Sequence, residues 1–200
     1  MRPSRDTYFA SGLVLLEQAR GNNELRKVSL FIAQSLDGYI ADKEGSVDWL
    51  GGQVADQPMP DVYSEFIQDV DTVIMGYKTY EQVSTQLSPD NWPYSGMQTY
   101  VLTHREIKAR PEIRFVKEAL PELLARLQQQ LGKKIWLCGG ANLVKQALQS
   151  DLIDEYYLSI MPIVLGDGIR LFDQIAPPQK LKLLQTKTYN GIVDLHYVKC

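Results

Sequence analysis

The 200-residue sequence contains little that could cross-link a fold or hold a metal ion. Its two cysteines are Cys138, inside an apolar run, and Cys200, the last residue, and its two histidines, His104 and His196, are far apart. Two thiols in these positions make no disulfide framework, and with dispersed histidines they predict no metal site. The cysteine usage favours a reducing compartment, so we expect a cytoplasmic protein.

Clusters of charge and long apolar runs are also missing. The formal net charge is −3, the isoelectric point is about 5.4, and no run of lysine or arginine exceeds two residues. These values predict neither nucleic-acid binding nor a polybasic membrane anchor. The longest apolar runs are far too short to cross a bilayer. The expected partner is therefore a small molecule, with no nucleic acid and no membrane.

The length and composition suit one domain. The chain is 44% hydrophobic and 22% charged, which is typical of globular proteins. Residues 1–26 differ, because their one apolar run, Leu13 to Leu16, is too short for a secretory signal. We expect residues 1–26 to form an extension, frayed or as a short surface helix, and residues 27–200 to form the folded domain.

Strand-like and helix-like patterns alternate from Lys27 onward. Helix signals include Asp61 as an N-cap before one helix and Gly132 as a C-cap after another. Asn190-Gly191 joins two strand-like runs, which is the pattern of a tight hairpin. The alternation predicts a single α/β domain with a mixed, mostly parallel central sheet flanked by helices, and with a C-terminal antiparallel hairpin.

One strand-to-helix junction carries paired glycines. Gly139-Gly140-Ala141 follows the strand-like IWLC and opens a helix. Bare backbone at a helix N-terminus can bind phosphate through its N–H groups and the helix dipole. The stretch matches neither the G-x-G-x-x-G pattern nor the P-loop. A tight packing turn is the alternative interpretation of this motif alone.

Two more junctions carry polar residues. Gly76 ends a strand, and Lys78 and Thr79 lie in the first turn of the next helix. Because a cation is disfavoured near a helix N-terminus, Lys78 suggests an anionic ligand there. Just past the following strand come Thr103, His104 and Arg105. A hydroxyl, an imidazole and a guanidinium can hold a phosphate, although either junction alone could be an ordinary polar surface. Because ligands of open α/β sheets bind at the carboxyl ends of strands, the three junctions together predict one binding edge.

Four blocks of sequence carry a resemblance to a known superfamily. They are SLFIAQSLDGYIADKEGSVDWL, DTVIMGYKTY, IWLCGGANLVKQAL and LIDEYYLSIMPIVLGDGIRLF, in this order. They resemble the dihydrofolate-reductase-like superfamily, and most closely its bacterial branch related to the reductase domain of the riboflavin-biosynthesis deaminase/reductase. The resemblance covers Lys27 to Lys199. It implies a dihydrofolate-reductase-like fold, NADPH as the cofactor and a homodimer.

The resemblance also implies roles for single residues. Ala33 would contact the nicotinamide, Gly76 and Thr79 the pyrophosphate region, and Thr103 the ribose phosphate of the adenosine. The diphosphate loop would consist of Gly139, Gly140, Ala141 and Asn142, with a cis peptide bond joining the two glycines. Tyr77 departs from the arginine that is frequent in dihydrofolate reductases, so a 2′-phosphate would rely on Lys78, Thr103, His104 or Arg105.

The substrate side departs further from the family pattern. The implied pocket residues are Phe31, Trp49, Val62, Phe66 and Cys138. Val62 stands where dihydrofolate reductases have a carboxylate, and Cys138 stands where riboflavin reductases have glutamate. A buried hydrophobic role is the commoner one for such a cysteine, and a core role is as common for such a tryptophan.

Two carboxylates are candidates for catalysis. Asp61 is one residue from the helix position that the family uses, which is a rotation of ~100°. Asp37 precedes a glycine, where an aspartate is more often a turn residue. A bound water is the other candidate proton donor.

Three functions fit these patterns. The first is an NADPH-dependent reductase that resembles 5-amino-6-(5-phosphoribosylamino)uracil reductase and transfers hydride to a C=N or C=O of a pyrimidine- or pterin-like substrate. The second is a dihydrofolate or dihydropterin reductase. The third, from a different class, is a non-catalytic nucleotide-binding protein.

Overall fold

A computed structural model of the chain describes residues 25–173 and 178–200. The strands are β1 Val28–Ser35, β2 Tyr39–Ala41, β3 Val70–Gly76, β4 Gln98–Leu102, β5 Ile113–Val116, β6 Lys134–Gly139, β7 Glu155–Met161, β8 Ile169–Arg170, β9 Leu181–Tyr189 and β10 Ile192–Lys199. The helices are α1 Val62–Ile67, α2 Tyr77–Gln82, α3 Leu120–Gln128 and α4 Ala141–Gln149, and a π-helical turn, Val83–Leu87, continues α2.

Eight of the strands form one sheet in the order β5-β4-β3-β6-β1-β7-β10-β9. The six strands from β5 to β7 are parallel, and β10 is antiparallel to both β7 and β9. The predicted mixed, mostly parallel sheet with a C-terminal hairpin is therefore confirmed. β2 and β8 form a separate short antiparallel pair, which the sequence analysis did not predict.

Hydrophobic side chains of the sheet are divided between two faces. Along β6, Ile135 and Leu137 pack into a core with α3 and α4, while Trp136 belongs to the core on the opposite face. That second core includes Phe66 of α1 and Tyr80 of α2. Side chains of a strand alternate between faces, so a central strand that is apolar throughout requires helices on both sides.

The hairpin between β9 and β10 has the predicted turn. Asn190 and Gly191 have φ values of 45° and 78°, the two positive angles that a type I′ turn requires. Within the described ranges, no helix is long and apolar enough to cross a membrane.

Gly132 does not have the predicted role. Helix α3 ends at Gln128, with Gln129 as its C-cap, so Gly132 is not the C-cap. A Cβ at Gly132 would lie 2.6 Å from Asp71 Oδ2 and 2.8 Å from Arg26 Cζ. The glycine therefore allows a close approach of these two side chains.

Arg26 ties the start of the described chain to the sheet. It is 8% exposed and pairs with Asp71, and it also donates to the Lys133 carbonyl at 2.6 Å. Arg26 is the last residue of the predicted extension, and residues 1–24 lie outside the described ranges.

Candidate functional site

The three predicted junctions lie side by side at one edge of the sheet. Strand register places Gly76 beside Leu102, the residue before Thr103, and Met75 beside Gly139. The carboxyl ends of β3, β4 and β6 are thus neighbours. Distant parts of the sequence therefore form one continuous edge of loops and helix N-termini.

The junction between β6 and α4 consists of bare backbone. Gly139 has a φ of 119°, which side chains of L-residues rarely adopt, and the peptide bond to Gly140 is cis, as the resemblance implies. A Cβ at Gly139 would lie 3.5 Å from Ile32 Cδ1, and one at Gly140 would lie 3.4 Å from Thr79 Oγ1. Gly140 is the N-cap of α4 and provides no side-chain cap, so first-turn N–H groups remain available to an anion.

Strand β1 separates from β6 at the same edge. The ladder between them pairs Val28–Leu30 with Ile135–Leu137 and then stops, whereas β1 stays paired with β7 as far as Ser35. Phe31, Ile32 and Ala33 are consequently only half-buried, although they lie in a central strand. Beyond Leu30 the two strands are not paired, and we call this unpaired region, between residues 31–33 of β1 and the end of β6, the gap.

Arg105 lies over Tyr77 at the outer end of this edge. Its guanidinium carbon is 4.1 Å from the centroid of the tyrosine ring, and Nη1 is 4.0 Å from Glu81. The loop is fixed by Thr103, whose N–H donates to the Val116 carbonyl at 2.9 Å and whose Oγ1 accepts from Arg105 N–H. A guanidinium from the neighbouring loop thus lies over the Tyr77 side chain.

A cleft of about 90 Å³ lies on the α1 face of the sheet. Three of the five predicted pocket residues line it, namely Phe31, Val62 and Phe66. The Phe31 and Phe66 rings are stacked with centroids 4.6 Å apart. The remaining lining residues are Glu65, Tyr157, Leu158, Ser159, Gln185, Lys187, Asp194, Leu195 and His196. Aromatic rings beside polar groups suit a flat, polar-edged ligand.

Cys138 and Trp49 do not line this cleft. The Cys138 thiol is 3.9 Å from the Tyr94 hydroxyl, and burial raises the pKa of the thiol to about 11. A thiol that stays protonated near neutral pH does not replace the carboxylate that the family has there. Trp49 donates from Nε1 to the Ser46 carbonyl at 3.2 Å, within its own loop.

The two candidate catalytic carboxylates have structural contacts elsewhere. Asp61 is exposed and caps α1 by accepting from Ser64 N–H at 2.9 Å, and the bond to Ser64 lowers the pKa of Asp61. Asp61 is thus the predicted N-cap, and it is not a lining residue of the cleft.

Asp37 joins two loops. It accepts from Ser35 Oγ at 2.6 Å and from the N–H groups of Leu165 and Gly166 at 3.0 and 2.7 Å. The Ser35 bond is the largest cause that lowers the pKa of Asp37 to about 2, so this residue is an anionic loop anchor and not a proton donor at neutral pH.

Residues 26–196 match the family described as the RibD C-terminal domain. The chain belongs to this family. Two Bacillus subtilis (strain 168) relatives, both named as uncharacterized proteins, are YwjB and YyaP. YwjB is 42% identical to this chain, and the match covers 87% of this chain and 98% of YwjB. YyaP is 31% identical, and the match covers 88% of this chain and 96% of YyaP.

Solved structures of family-like proteins share the fold. A putative riboflavin biosynthesis protein from Shewanella sp. PV-4 is 28% identical and superposes with a TM-score of 0.77, over 87% of this chain and 99% of that one. A deaminase/5-amino-6-(5-phosphoribosylamino)uracil reductase from Thermotoga maritima gives a TM-score of 0.67 at 16% identity, over 88% of this chain and 57% of that one. At that identity the likeness shows the fold alone.

Sequence reasoning missed the polar side of the cleft. Ser159, Asp194 and His196 lie on β7 and β10, in which the sequence analysis names no site residue. A signal was present, because Asp194 and His196 alternate with Leu195 and Tyr197, as on a strand with one polar face. The sequence does not reveal that α1 partly covers this face.

Proposed function

We propose that this protein is an NADPH-dependent reductase that transfers hydride to a C=N or C=O carbon of a pyrimidine- or pterin-like heterocycle, as a reductase of the riboflavin-biosynthesis type. The observation that carries the proposal is the gap between β1 and β6, which is bordered by Gly139 on one strand and by Phe31, a lining residue of the cleft, on the other. Membership of the RibD C-terminal domain family supports it.

The residues at the sheet edge fit a dinucleotide. Gly139 and Gly140 leave room where side chains would project toward Ile32 and Thr79. The N-termini of α2 and α4 would hold the diphosphate through Thr79, Ala141 and Asn142. A nicotinamide in the gap would lie against Ala33, and Arg105 with exposed Lys78 and His104 would contact the 2′-phosphate.

Bound NADPH would supply the hydride. The protein would align donor and acceptor, because Phe31 and Ala33 are two residues apart on one face of β1 and thus join the cleft to the gap. Phe31, Val62 and Phe66 would exclude water from one side of the acceptor. Asp37 and Asp61 are engaged in loop and helix contacts, so the proton would come from water that enters the open cleft.

Consumption of NADPH tests the proposal. The loss of reduced-nicotinamide absorbance should be followed with a panel of pyrimidine ribosides, their phosphates and dihydropteridines. We expect oxidation with at least one pyrimidine riboside or its phosphate. Turnover of dihydropteridines alone would favour the dihydropterin reductase. NADPH binding without turnover would support the non-catalytic nucleotide-binding protein, which the protonated Cys138 thiol favours.

The Arg105→Ala variant should raise KM for NADPH by about tenfold or more, since a charge-assisted bond to phosphate is lost, and should leave KM for NADH nearly unchanged. Arg114→Ala is the matched control, because Arg114 is also exposed and lies 5.9 Å from the Tyr100 ring, on the edge strand β5. Steady-state kinetics with both coenzymes measure the effect. An equal change of KM for NADPH and NADH would show that Arg105 does not bind the 2′-phosphate.

A further inference from the structure

A row of paired side chains runs across the sheet from Ala33, beside the gap between β1 and β6, to the edge strand β9. Register pairs Ala33 with Ser159, Ser159 with Asp194, and Asp194 with Lys187. The side chains of such directly paired residues point to the same face of a sheet, and neighbouring strands are about 4.8 Å apart. Asp194 therefore lies two strands from Ala33, on the same face and within the cleft.

An aromatic row runs beside it. Register pairs Phe31 with Tyr157, Tyr157 with His196, and His196 with Gln185. The Tyr157 and His196 rings are stacked with centroids 4.0 Å apart and an interplanar angle of 16°. Burial lowers the pKa of His196, which favours the neutral imidazole. The cleft thus has one row of flat rings and one row of polar groups.

Asp194 is only partly satisfied by protein contacts. Its Oδ2 accepts from the Tyr189 hydroxyl at 2.8 Å, but Oδ1 is buried and has no hydrogen-bond partner among the described residues. Nε2 of His196, in the neighbouring row, is also buried without a partner there. Buried polar atoms are normally hydrogen-bonded, and an unbonded carboxylate oxygen is costly.

Lys187, the cation in the polar row, forms an ion pair with Glu65 and not with Asp194. Lys187 Nζ is 2.5 Å from Glu65 Oε2, so α1 engages the lysine that faces Asp194 across the hairpin. This ion pair joins α1 to β9 at the rim of the cleft. Asp194 is left as a carboxylate that is fixed by Tyr189 through Oδ2 and whose Oδ1 has no donor among the described residues.

We propose that Asp194 binds the substrate, with Oδ1 accepting a hydrogen bond from a ring N–H of a uracil- or pterin-type heterocycle. The inference rests on the proposed function, because it places the reacting carbon of that heterocycle toward Ala33. The heterocycle lies over Ser159, between the aromatic row and α1. Asp194 thereby supplies, from β10, the carboxylate that α1 lacks at Val62.

Two probes that differ only in ring N–H groups test the inference. They are 5,6-diaminouracil and its 1,3-dimethyl analogue, titrated calorimetrically into the full chain without NADPH. We expect wild type to bind the first probe about tenfold or more tightly than the second, the effect of a hydrogen bond to a charged acceptor. Asp194→Asn should remove most of that preference by weakening the first probe alone.

Two further variants serve as controls. Tyr189→Phe frees the Asp194 side chain and should weaken 5,6-diaminouracil less than Asp194→Asn does. Thr188→Val, on the exposed face of β9, should change neither affinity. Circular dichroism and thermal unfolding of each variant show whether it is folded. If Asp194→Asn does not fold, a smaller preference for 5,6-diaminouracil in Tyr189→Phe than in wild type gives the result.

The outcomes separate this inference from the proposed function. Equal binding of the two probes by wild type, no binding of either, or an unchanged preference in Asp194→Asn would overturn the role of Asp194. NADPH is titrated separately. If NADPH fails to bind, the proposed reductase is wrong, whatever the heterocycles do.

Discussion

Gly139→Ala should weaken NADPH binding by about ten- to a hundredfold, the effect of 1–3 kcal/mol of overpacking. The added methyl group would point toward Ile32 Cδ1. It makes only an ordinary 3.5 Å contact in the protein itself, so the expected loss of affinity would come from a steric conflict with the bound coenzyme. The φ of 119° adds a cost of about 1–3 kcal/mol to folding, which should appear as a lower Tm.

Gly96→Ala is the matched control for this backbone cost. Gly96 also has a positive φ, 86°, but a Cβ there would meet no atom within 4 Å. Gly96 precedes β4, away from the carboxyl edge. The control should lose Tm and keep its affinity for NADPH, measured by calorimetry. If both variants lost affinity equally, or if Gly139→Ala bound NADPH normally, the coenzyme would not lie in the gap.

Glu155→Gln should lower the free energy of unfolding by about 3 kcal/mol, because it removes the carboxylate, which is the buried member of an ion pair. The Glu155 side chain is 7% exposed and lies 2.9 Å from Lys134 Nζ. It also accepts from Ser29 Oγ at 3.0 Å, and Lys27 is 3.4 Å away. The variant leaves two ammonium groups without their carboxylate.

The pH dependence of this effect follows from the pKa of Glu155. Burial opposes ionisation, but the bond and charge of Lys134, with the Ser29 bond, lower the pKa in the folded protein below 4.5. A lowered pKa gives stability that is fully present above about pH 4.5 and is lost as pH falls through the folded pKa. The difference between wild type and Glu155→Gln should therefore be largest at neutral pH and shrink in acid.

Urea unfolding at a series of pH values measures this difference. Glu44→Gln, in an exposed loop, is the control and should follow wild type at every pH. A difference in the free energy of unfolding that stayed constant from neutral to acid pH would contradict the ion-pair explanation.

The sheet was predictable because its signals are local. Apolar runs mark β3, β6 and β7, and Asn190-Gly191 alone indicates the hairpin. The edge that carries the three junctions follows from general topology, since parallel strands share one carboxyl end. These features depend on residues that are near one another in the sequence.

The polar side of the cleft was not predictable because it depends on register. Asp194 lies beside Ser159 only when β10 pairs with β7 in the observed alignment, and a shift of one residue would turn it to the other face. The contact between Arg105 and Tyr77 likewise joins a loop to the first turn of α2, a helix that is distant in sequence. Gly132 was misassigned for the same reason, since Arg26 and Asp71, which restrict it, are distant in sequence.

Titration of the isotope-labelled protein with NADPH, followed by amide NMR, tests coenzyme binding at the sheet edge most directly. We predict saturable shifts at Ala33 and at residues 76–79, 103–105 and 139–142, with Gly96 and other distant amides unchanged. Saturable shifts confined to other surfaces, or no shifts at any NADPH concentration, would contradict the proposed reductase.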